Sequence, residues 1–430
     1  MTDEQLTGEP LAAFDARLAP VFPEASSVTA DGVLALGGVP VTELAAEFGT
    51  PLYVYDEAGL RAQLRRFIDG FTRRRPGSKV LFASKSFPAV GMYRLAAEEG
   101  ACIDVAGGGE LEFALHAGVD PATIYFHGNA KTTAELTRAL EVGVGTIIVD
   151  NEDELDRLER LLTRPQQLLL RIRPGIEAAT HASQATGGDD SKFGLPIAQA
   201  ERAIERMRAH PLMDLRGVHV HIGSQILDVA QFGEAVERVA QLGEFPVYDL
   251  GGGLGVAYTP DDVAPAVDDY LDVLLAAAER YLPASATLLI EPGRSVVARA
   301  GVTLYSVVSV KRTGRTFVAV DGGMSDQLDA TLTDQVFTPV LANRMREADR
   351  EEVQLVGRQC ESGDLLVDRA SLAPARVDDL VALAATGAYS YTFANNYNGA
   401  LKPAVVFVRD GEARLVVRRE TYADLLAEQL

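Results

Sequence analysis

The residues in this chain best suited to chemistry stand at the ends of apolar runs. Lys85 follows Val80-Leu81-Phe82-Ala83, Asp104 sits late in Cys102–Val105, and His127 and Asp150 follow Thr123–Phe126 and Thr146–Val149. Arg173 closes Leu168–Arg173, His221 closes Leu215–His221, and Glu291-Pro292-Gly293-Arg294 closes Thr287–Glu291. After Pro246–Leu250 comes Gly251-Gly252-Gly253-Leu254-Gly255. A lysine in such a place is most often a solvated surface group. Held near an apolar wall, its pKa falls and the amine becomes an imine-forming nucleophile. The glycine run lets backbone N–H groups approach an anion closely, although a tight turn would use it equally well. Arg294 can join that loop on a phosphate, while Glu291 either faces the reacting centre or pairs with an arginine.

A lysine for an imine, a cradle for phosphate and an acid for a pyridinium nitrogen together describe pyridoxal phosphate. The acid matters because the ring withdraws electrons well only while its nitrogen keeps a proton. In Gly217-Val218-His219-Val220-His221-Ile222-Gly223-Ser224-Gln225, His221 can lie flat on the ring and Ser224 can bond the phosphate. His219, two residues back on the same face, reads as a core or supporting histidine. No metal is called for.

The elements that must hold these residues are eight β-rich runs alternating with helical patterns between Lys79 and Glu291. Strand-then-helix repeated eight times predicts a closed (β/α)8 barrel. Such barrels build their sites at the strands' C-terminal face, with phosphate held after strands seven and eight. At 430 residues the chain exceeds the about 250 of one barrel, so a second unit is expected. Past Arg294 the runs Val302–Val310, Thr316–Val320, Val353–Val356, Leu380–Ala384, Ala404–Val408 and Ala413–Arg418 are short and strand-like. They predict a β-rich C-terminal domain, sandwich- or barrel-like. The expected division is an N-terminal segment 1–45 partly joining that domain, through a run near Val33–Leu36, then the barrel 46–296 and the β domain 297–430. Met1–Ala30 is poorly patterned, Asp56–Phe71 has helical spacing behind a capping aspartate, and Thr180–Asp190 reads as a loop or lid.

Composition excludes several classes. A formal charge of −21 would repel nucleic acid rather than gather it. Two cysteines far apart, Cys102 and Cys360, fit a reducing compartment rather than a disulfide framework. The acidic, polar Met1–Pro10 shows neither signal peptide nor membrane span. The expected setting is the cytoplasm.

In this order, the landmarks carry a specific resemblance. They are Phe82-Ala83-Ser84-Lys85, Asp104 with Gly107-Gly108-Gly109-Glu110, His127-Gly128-Asn129, Lys192-Phe193-Gly194, His221–Gln225, Gly251–Gly255 and Glu291–Arg294. Asp321-Gly322-Gly323-Met324, Cys360-Glu361-Ser362-Gly363-Asp364 and Gly387-Ala388-Tyr389 follow. From about Val41 to Leu425 the chain resembles the fold-type III pyridoxal-phosphate decarboxylases, the diaminopimelate decarboxylases most of all. The resemblance implies that Lys85 carries the cofactor, Glu291 bonds its pyridine nitrogen and His221 stacks on the ring, with Asp104 also at the cofactor. It gives Ser224, Gly252, Gly253, Gly293, Arg294 and Tyr389 to the phosphate side, with Arg294 and Tyr389 also reaching substrate. It implies a homodimer with shared active sites, in which Cys360 protonates the carbanion left by CO2 and Glu361 contacts the substrate amine. Taken alone, Cys360 would read as a small buried hydrophobe; Cys102, inside an apolar strand, keeps that reading. An amino-acid racemase on the same barrel is the alternative, but the Cys360–Asp364 segment is a decarboxylase feature.

One departure stands out. Where the resembled enzymes carry an arginine and, four residues on, a tyrosine to grip the distal carboxylate, this chain has Asp329 and Thr333. Gln327–Val340 contains no basic residue. Two like unit charges ~4 Å apart repel by about 4 kcal/mol at an effective dielectric near ~20. The expected substrate is therefore diaminopimelate in a rearranged pocket, or a relative with a neutral or cationic far end, such as lysine, ornithine or a conjugated or carrier-linked amino acid. The bland alternative is that Asp329 faces solvent.

Overall fold

The structure, a computed structural model, describes residues 14–176, 186–188 and 191–430. The predicted Thr180–Asp190 loop falls outside them apart from 186–188, as does the start of the unpatterned N-terminus. The chain forms two compact units: one of the chain up to Leu60 with Ala257–Asp262 and Ala298–Leu430, the other of Arg61–Val256 and Val263–Val297.

The second unit is the barrel. Its parallel strands are Lys79–Ala83, Cys102–Val105, Ile124–Phe126, Thr146–Val149, Gln166–Arg173, Met213–Val220, Val247–Asp249 and Thr287–Ile290. Each pairs with the next, and Thr287–Ile290 closes the ring on Lys79–Ala83 through Leu289 opposite Lys79. Helices separate the strands, and their ends show why they stop where they do. Thr133–Val142 opens on a capping box, with Thr132 Oγ1 accepting from the Glu135 amide and Glu135 accepting from the Thr132 amide. It ends at Gly143 in a left-handed turn. A cap of this kind is worth about 1 kcal/mol.

Leu81, Cys102, Tyr125, Ile148, Leu169 and Leu289 form one buried cluster, with Val247 packed against it. Seven strands thus supply one side chain each to a filled layer, as a packed barrel requires. Gly217 answers for the sixth: a Cβ there would sit 1.7 Å from the Val247 carbonyl oxygen, and the register to the preceding strand shifts between Leu215 and Gly217. Cys102 is a member of this core, and burial pushes its thiol pKa up.

The other unit centres on a nine-stranded sheet. Its main path runs Leu365–Leu372, Glu351–Val356, Thr316–Val320, Gly301–Arg312, Leu52–Asp56, Ala404–Arg409, Glu412–Val417. Gly301–Arg312 also pairs with Leu380–Leu383, which pairs with Pro339–Leu341. The run near Val33–Leu36 does not enter this sheet: Leu34–Leu36 pairs with Ser26–Val28 and Val39–Pro40 in a small sheet of its own. The early segment that does enter is Leu52–Asp56, all five residues buried. Burial on both faces removes the alternation that marks a half-exposed strand.

Candidate active site

The period of two along a strand explains how the barrel unit gathers its polar groups. Two residues beyond the core layer, on the same face and one step toward the C-terminal end, seven of the eight strands place a polar side chain, the first placing Ala83. Cys102 leads to Asp104, Tyr125 to His127, Ile148 to Asp150, Leu169 to Arg171, Gly217 to His219, Val247 to Asp249 and Leu289 to Glu291. All seven polar residues are buried. His221, one further step along, is half-buried. His221 and Glu291 stand just past their strands rather than ending them.

Glu291 is the centre of this group. Its Oε1 lies 2.8 Å from Nε2 of His127, and its Oε2 lies 3.3 Å from Nε2 of His219. The two imidazoles meet edge to face, with centroids 4.9 Å apart. The partners of Glu291 are thus histidines, not the arginine considered from sequence, and His219 has the supporting place expected of it. Burial works to raise the Glu291 pKa, but His127 and His219 outweigh it and hold the carboxyl well below its usual range. Burial and then the Glu291 charge push Asp249 far up, while Asp249 Oδ1 accepts the Gly251 amide at 3.0 Å. Asp104, 3.7 Å from His127, is raised to about 7 by burial against the pull of His127. Burial lowers His219 to about 4, and burial followed by the Lys85 and Arg171 charges lowers His221 strongly. Glu291 is thus the carboxylate held ionised at neutral pH, with His219 and His221 kept neutral beside it. The atoms of His127, His219 and Glu291 lie within 4.8 Å of one another, a spacing a divalent cation could also accept.

Lys85 sits in a single 3₁₀ turn, Ser84–Ser86, after the first strand, and is exposed rather than set against an apolar wall. Its charge acts on Asp104 and His221. Ser84 beside it donates to Glu110 Oε2 at 3.0 Å, and the same oxygen accepts the Ala106 amide. Across the mouth, Arg294 is buried and its Nε donates to Ser224 Oγ at 3.2 Å. The Gly252 amide donates to His221 Nδ1 at 3.2 Å, fixing that ring. A Cβ on Gly252 would stand 2.0 Å from the Glu291 carbonyl oxygen, so only glycine lets the two loops lie this close.

Several contributors were not singled out from sequence. Lys131, buried, donates to the Gly128 and Ile148 carbonyls at 2.7 and 2.8 Å and pairs with Glu154 at 2.9 Å. It pins the loop that begins at His127. Arg171 stacks 4.4 Å over the Phe193 ring and lies 3.9 Å from Asp150, whose Oδ1 accepts the Gly194 amide. A charged residue inside the apolar run Leu168–Ile172 was the available signal for Arg171.

Cys360, Glu361, Asp329, Thr333 and Tyr389 belong to the other unit. Cys360 and Glu361 are exposed. Tyr389 is half-buried in a left-handed conformation (φ 62°) and stacks on Phe393. Asp329 is buried, which removes the solvent-facing alternative. It lies in the first turn of the short helix Leu328–Leu332, and Thr333 Oγ1 donates to its carbonyl at 2.8 Å and lies 3.3 Å from its Oδ1. Asp329 and Thr333 are therefore bonded to each other.

Residues 58–298 match the family described as pyridoxal-dependent decarboxylase, pyridoxal binding domain. The chain belongs to the pyridoxal-dependent decarboxylases. Among the relatives of this decarboxylase, the diaminopimelate decarboxylase of Bacillus subtilis is 44% identical over 415 residues, covering 92% of this chain and 94% of the relative. That of Mycobacterium tuberculosis is 41% identical over 441 residues, covering 95% and 98%. Among solved structures, the M. jannaschii diaminopimelate decarboxylase in complex with L-lysine superposes with a TM-score of 0.88 at 31% identity, covering 95% and 98%. The decarboxylase is thus a pyridoxal-phosphate-dependent carboxy-lyase of the diaminopimelate decarboxylase type. The barrel residues fit that cofactor: an amine at the rim, a buried carboxylate held ionised by two histidines, and a glycine turn with no room for a Cβ beside the Ser224–Arg294 pair. Among the described residues, no helix is long and apolar enough to cross a membrane.

Proposed function

We propose that this decarboxylase removes the α-carboxyl of a diamino acid as CO2, with diaminopimelate as substrate and lysine as product. The observation that carries this reading is the 44% identity to a diaminopimelate decarboxylase over nearly both full lengths. The relatives give no support to a different substrate. When bound, pyridoxal phosphate supplies a protonated ring that accepts the electron pair left by CO2.

The chain's own residues do the rest. Lys85, at the rim of the barrel, would hold the cofactor covalently through its amine. Glu291, ionised by His127 and His219, keeps a proton on the ring nitrogen. His221, neutral and with its Nδ1 accepting the Gly252 amide, would lie against the ring, and Asp104 would stand near the cofactor. Ser224, Gly252, Gly253, Gly293, Arg294 and Tyr389 bind the phosphate. By resemblance, Cys360 delivers the proton that replaces CO2, and Glu361 receives the substrate amine; both come from the partner subunit of a homodimer in the cytoplasm. If they do, mixing inactive Lys85→Ala with inactive Cys360→Ala protein should restore activity through hybrid dimers with one intact site. Proven subunit exchange without recovered activity would place the whole site in one chain.

A second reading rests on Asp329, buried, with Thr333 bonded to it and no basic residue from Gln327 to Val340. An acidic group in the arginine's place selects against a distal carboxylate and for an amine. Under this reading Asp329→Arg with Thr333→Tyr should raise the kcat/KM ratio of diaminopimelate to lysine at least about tenfold, since a bidentate arginine matches a carboxylate in charge and shape. A ratio unchanged by the double variant would remove Asp329 from substrate selection.

A further inference from the structure

The segment carrying Cys360 is exposed from Cys360 to Gly363, yet it is gripped on both sides by buried residues, Gln359 and Asp364. Asp364 works as a clamp. Its Oδ1 accepts the Met324 amide and its Oδ2 accepts the Gln359 amide, each at 2.6 Å. The Gln359 side chain donates to Ser325 Oγ at 2.6 Å, and the Arg358 amide donates to the Gly322 carbonyl at 2.9 Å. A third stretch docks on the same serine, with the Asn395 amide donating to the Ser325 carbonyl at 2.8 Å. The Asp321–Met324 and Cys360–Asp364 motifs, far apart in sequence, are therefore one piece of structure, joined by the turn around Asn396–Gly399.

That turn makes the contact that matters. Asn398 has φ 53° and ψ 24°, in the left-handed region, and Gly399 follows at φ 71°. Glycine would satisfy this backbone at least cost, and asparagine is among the few other residues that tolerate it. A side chain at such a position calls for a reason, and here it has one: Oδ1 of Asn398 accepts the Cys360 amide at 2.8 Å. Among the described residues, this hydrogen bond is the one that ties the exposed Cys360 backbone to the third loop.

We propose that Asn398 is a positioning residue for Cys360, holding its backbone so that the thiol is presented in one place, on the platform that Asp364 clamps. This rests on the reading of Cys360 as the proton-delivering group. The thiol must meet a carbanion at one face of one carbon, and a loop free to sample other positions spends less time in reach.

The test uses the holoenzyme and two variants. Asn398→Gly keeps the left-handed turn and removes the acceptor; Asn398→Asp keeps the acceptor. In Asn398→Gly, hydrogen exchange at the Cys360 amide should quicken and kcat should fall about tenfold, with KM and the bound cofactor's visible spectrum unchanged. Asn398→Asp should restore both the protection and most of kcat. A purely structural role would instead lower the melting temperature and cofactor content together. Unchanged exchange at Cys360 in Asn398→Gly would overturn the tether. Faster exchange with full kcat, while Cys360→Ala is inactive, would overturn the positioning role alone. Full turnover by Cys360→Ala would show that the reading of Cys360 itself had failed, and the positioning role with it.

Discussion

Replacing Lys85 by alanine should lower kcat by at least about a thousandfold and abolish the visible absorbance of the purified protein. A lysine that binds the cofactor covalently cannot be replaced by another residue's contacts, because the bond itself disappears. The position supports the size of this effect: Lys85 occupies a one-turn helix at the barrel rim, next to Ser84, which Glu110 holds, and its charge is felt by Asp104 and His221. Borohydride treatment of the wild type should leave the reduced cofactor on Lys85, located by peptide mapping. Label on another lysine would remove Lys85 from this role.

The second large effect is expected at Glu291. Glu291→Gln has nearly the same shape but no charge, so His127 and His219 no longer face a carboxylate and the ring nitrogen loses the group that keeps it protonated. Turnover should fall by about a hundredfold or more, while cofactor content, measured after release by alkali, stays near one per chain. The two results together separate chemistry from binding. Loss of cofactor in step with activity would make Glu291 a binding residue, and full activity would make the buried His127–Glu291–His219 cluster structural.

The variant also has a pH signature. His219 is lowered to about 4 in the folded protein, chiefly by burial and against the pull of Glu291. The unfolded chain therefore binds a proton there between about pH 6.5 and 4 that the folded one refuses, and this contribution to stability is lost as pH falls through that window. Removing the Glu291 charge lowers His219 further and carries this loss to lower pH. It also removes the acid-side loss that the depressed Glu291 carboxyl itself contributes, so acid unfolding of Glu291→Gln should be no steeper than that of the wild type.

The barrel was legible because its strands are short and largely apolar, and because the helices between them are marked by helical spacing, with caps at Thr132 and Asn151. Lys79–Ala83, Cys102–Val105 and Thr146–Val149 stand in the structure with the bounds read from sequence. Leu52–Asp56 escaped notice for the same physical reason in reverse: a five-residue run buried throughout, placed directly before a helix, offers neither alternation nor length. Leu365–Leu372 was hidden by Asp368 and Arg369 and by the irregular register of its pairing with Glu351–Val356.

The site shows the same division. Glu291, His221, Ser224 and Arg294 announce themselves by lying at strand ends beside glycine turns. The residues that set their properties do not. Lys131 and Glu154 meet only through the fold, 23 positions apart in the chain, and neither breaks a periodic pattern. Asn398 lies in a run of small and polar residues that reads simply as a turn, and its bond to Cys360 depends on a backbone conformation no spacing reveals.

The most direct measurement is the release of CO2 from meso-diaminopimelate by the purified holoenzyme, with the amino-acid product identified by chromatography. CO2 and lysine should appear in equal amounts, and both should depend on pyridoxal phosphate. No CO2 from diaminopimelate or any other diamino acid, with the configuration at the α-carbon scrambled instead, would show that the barrel serves a different reaction.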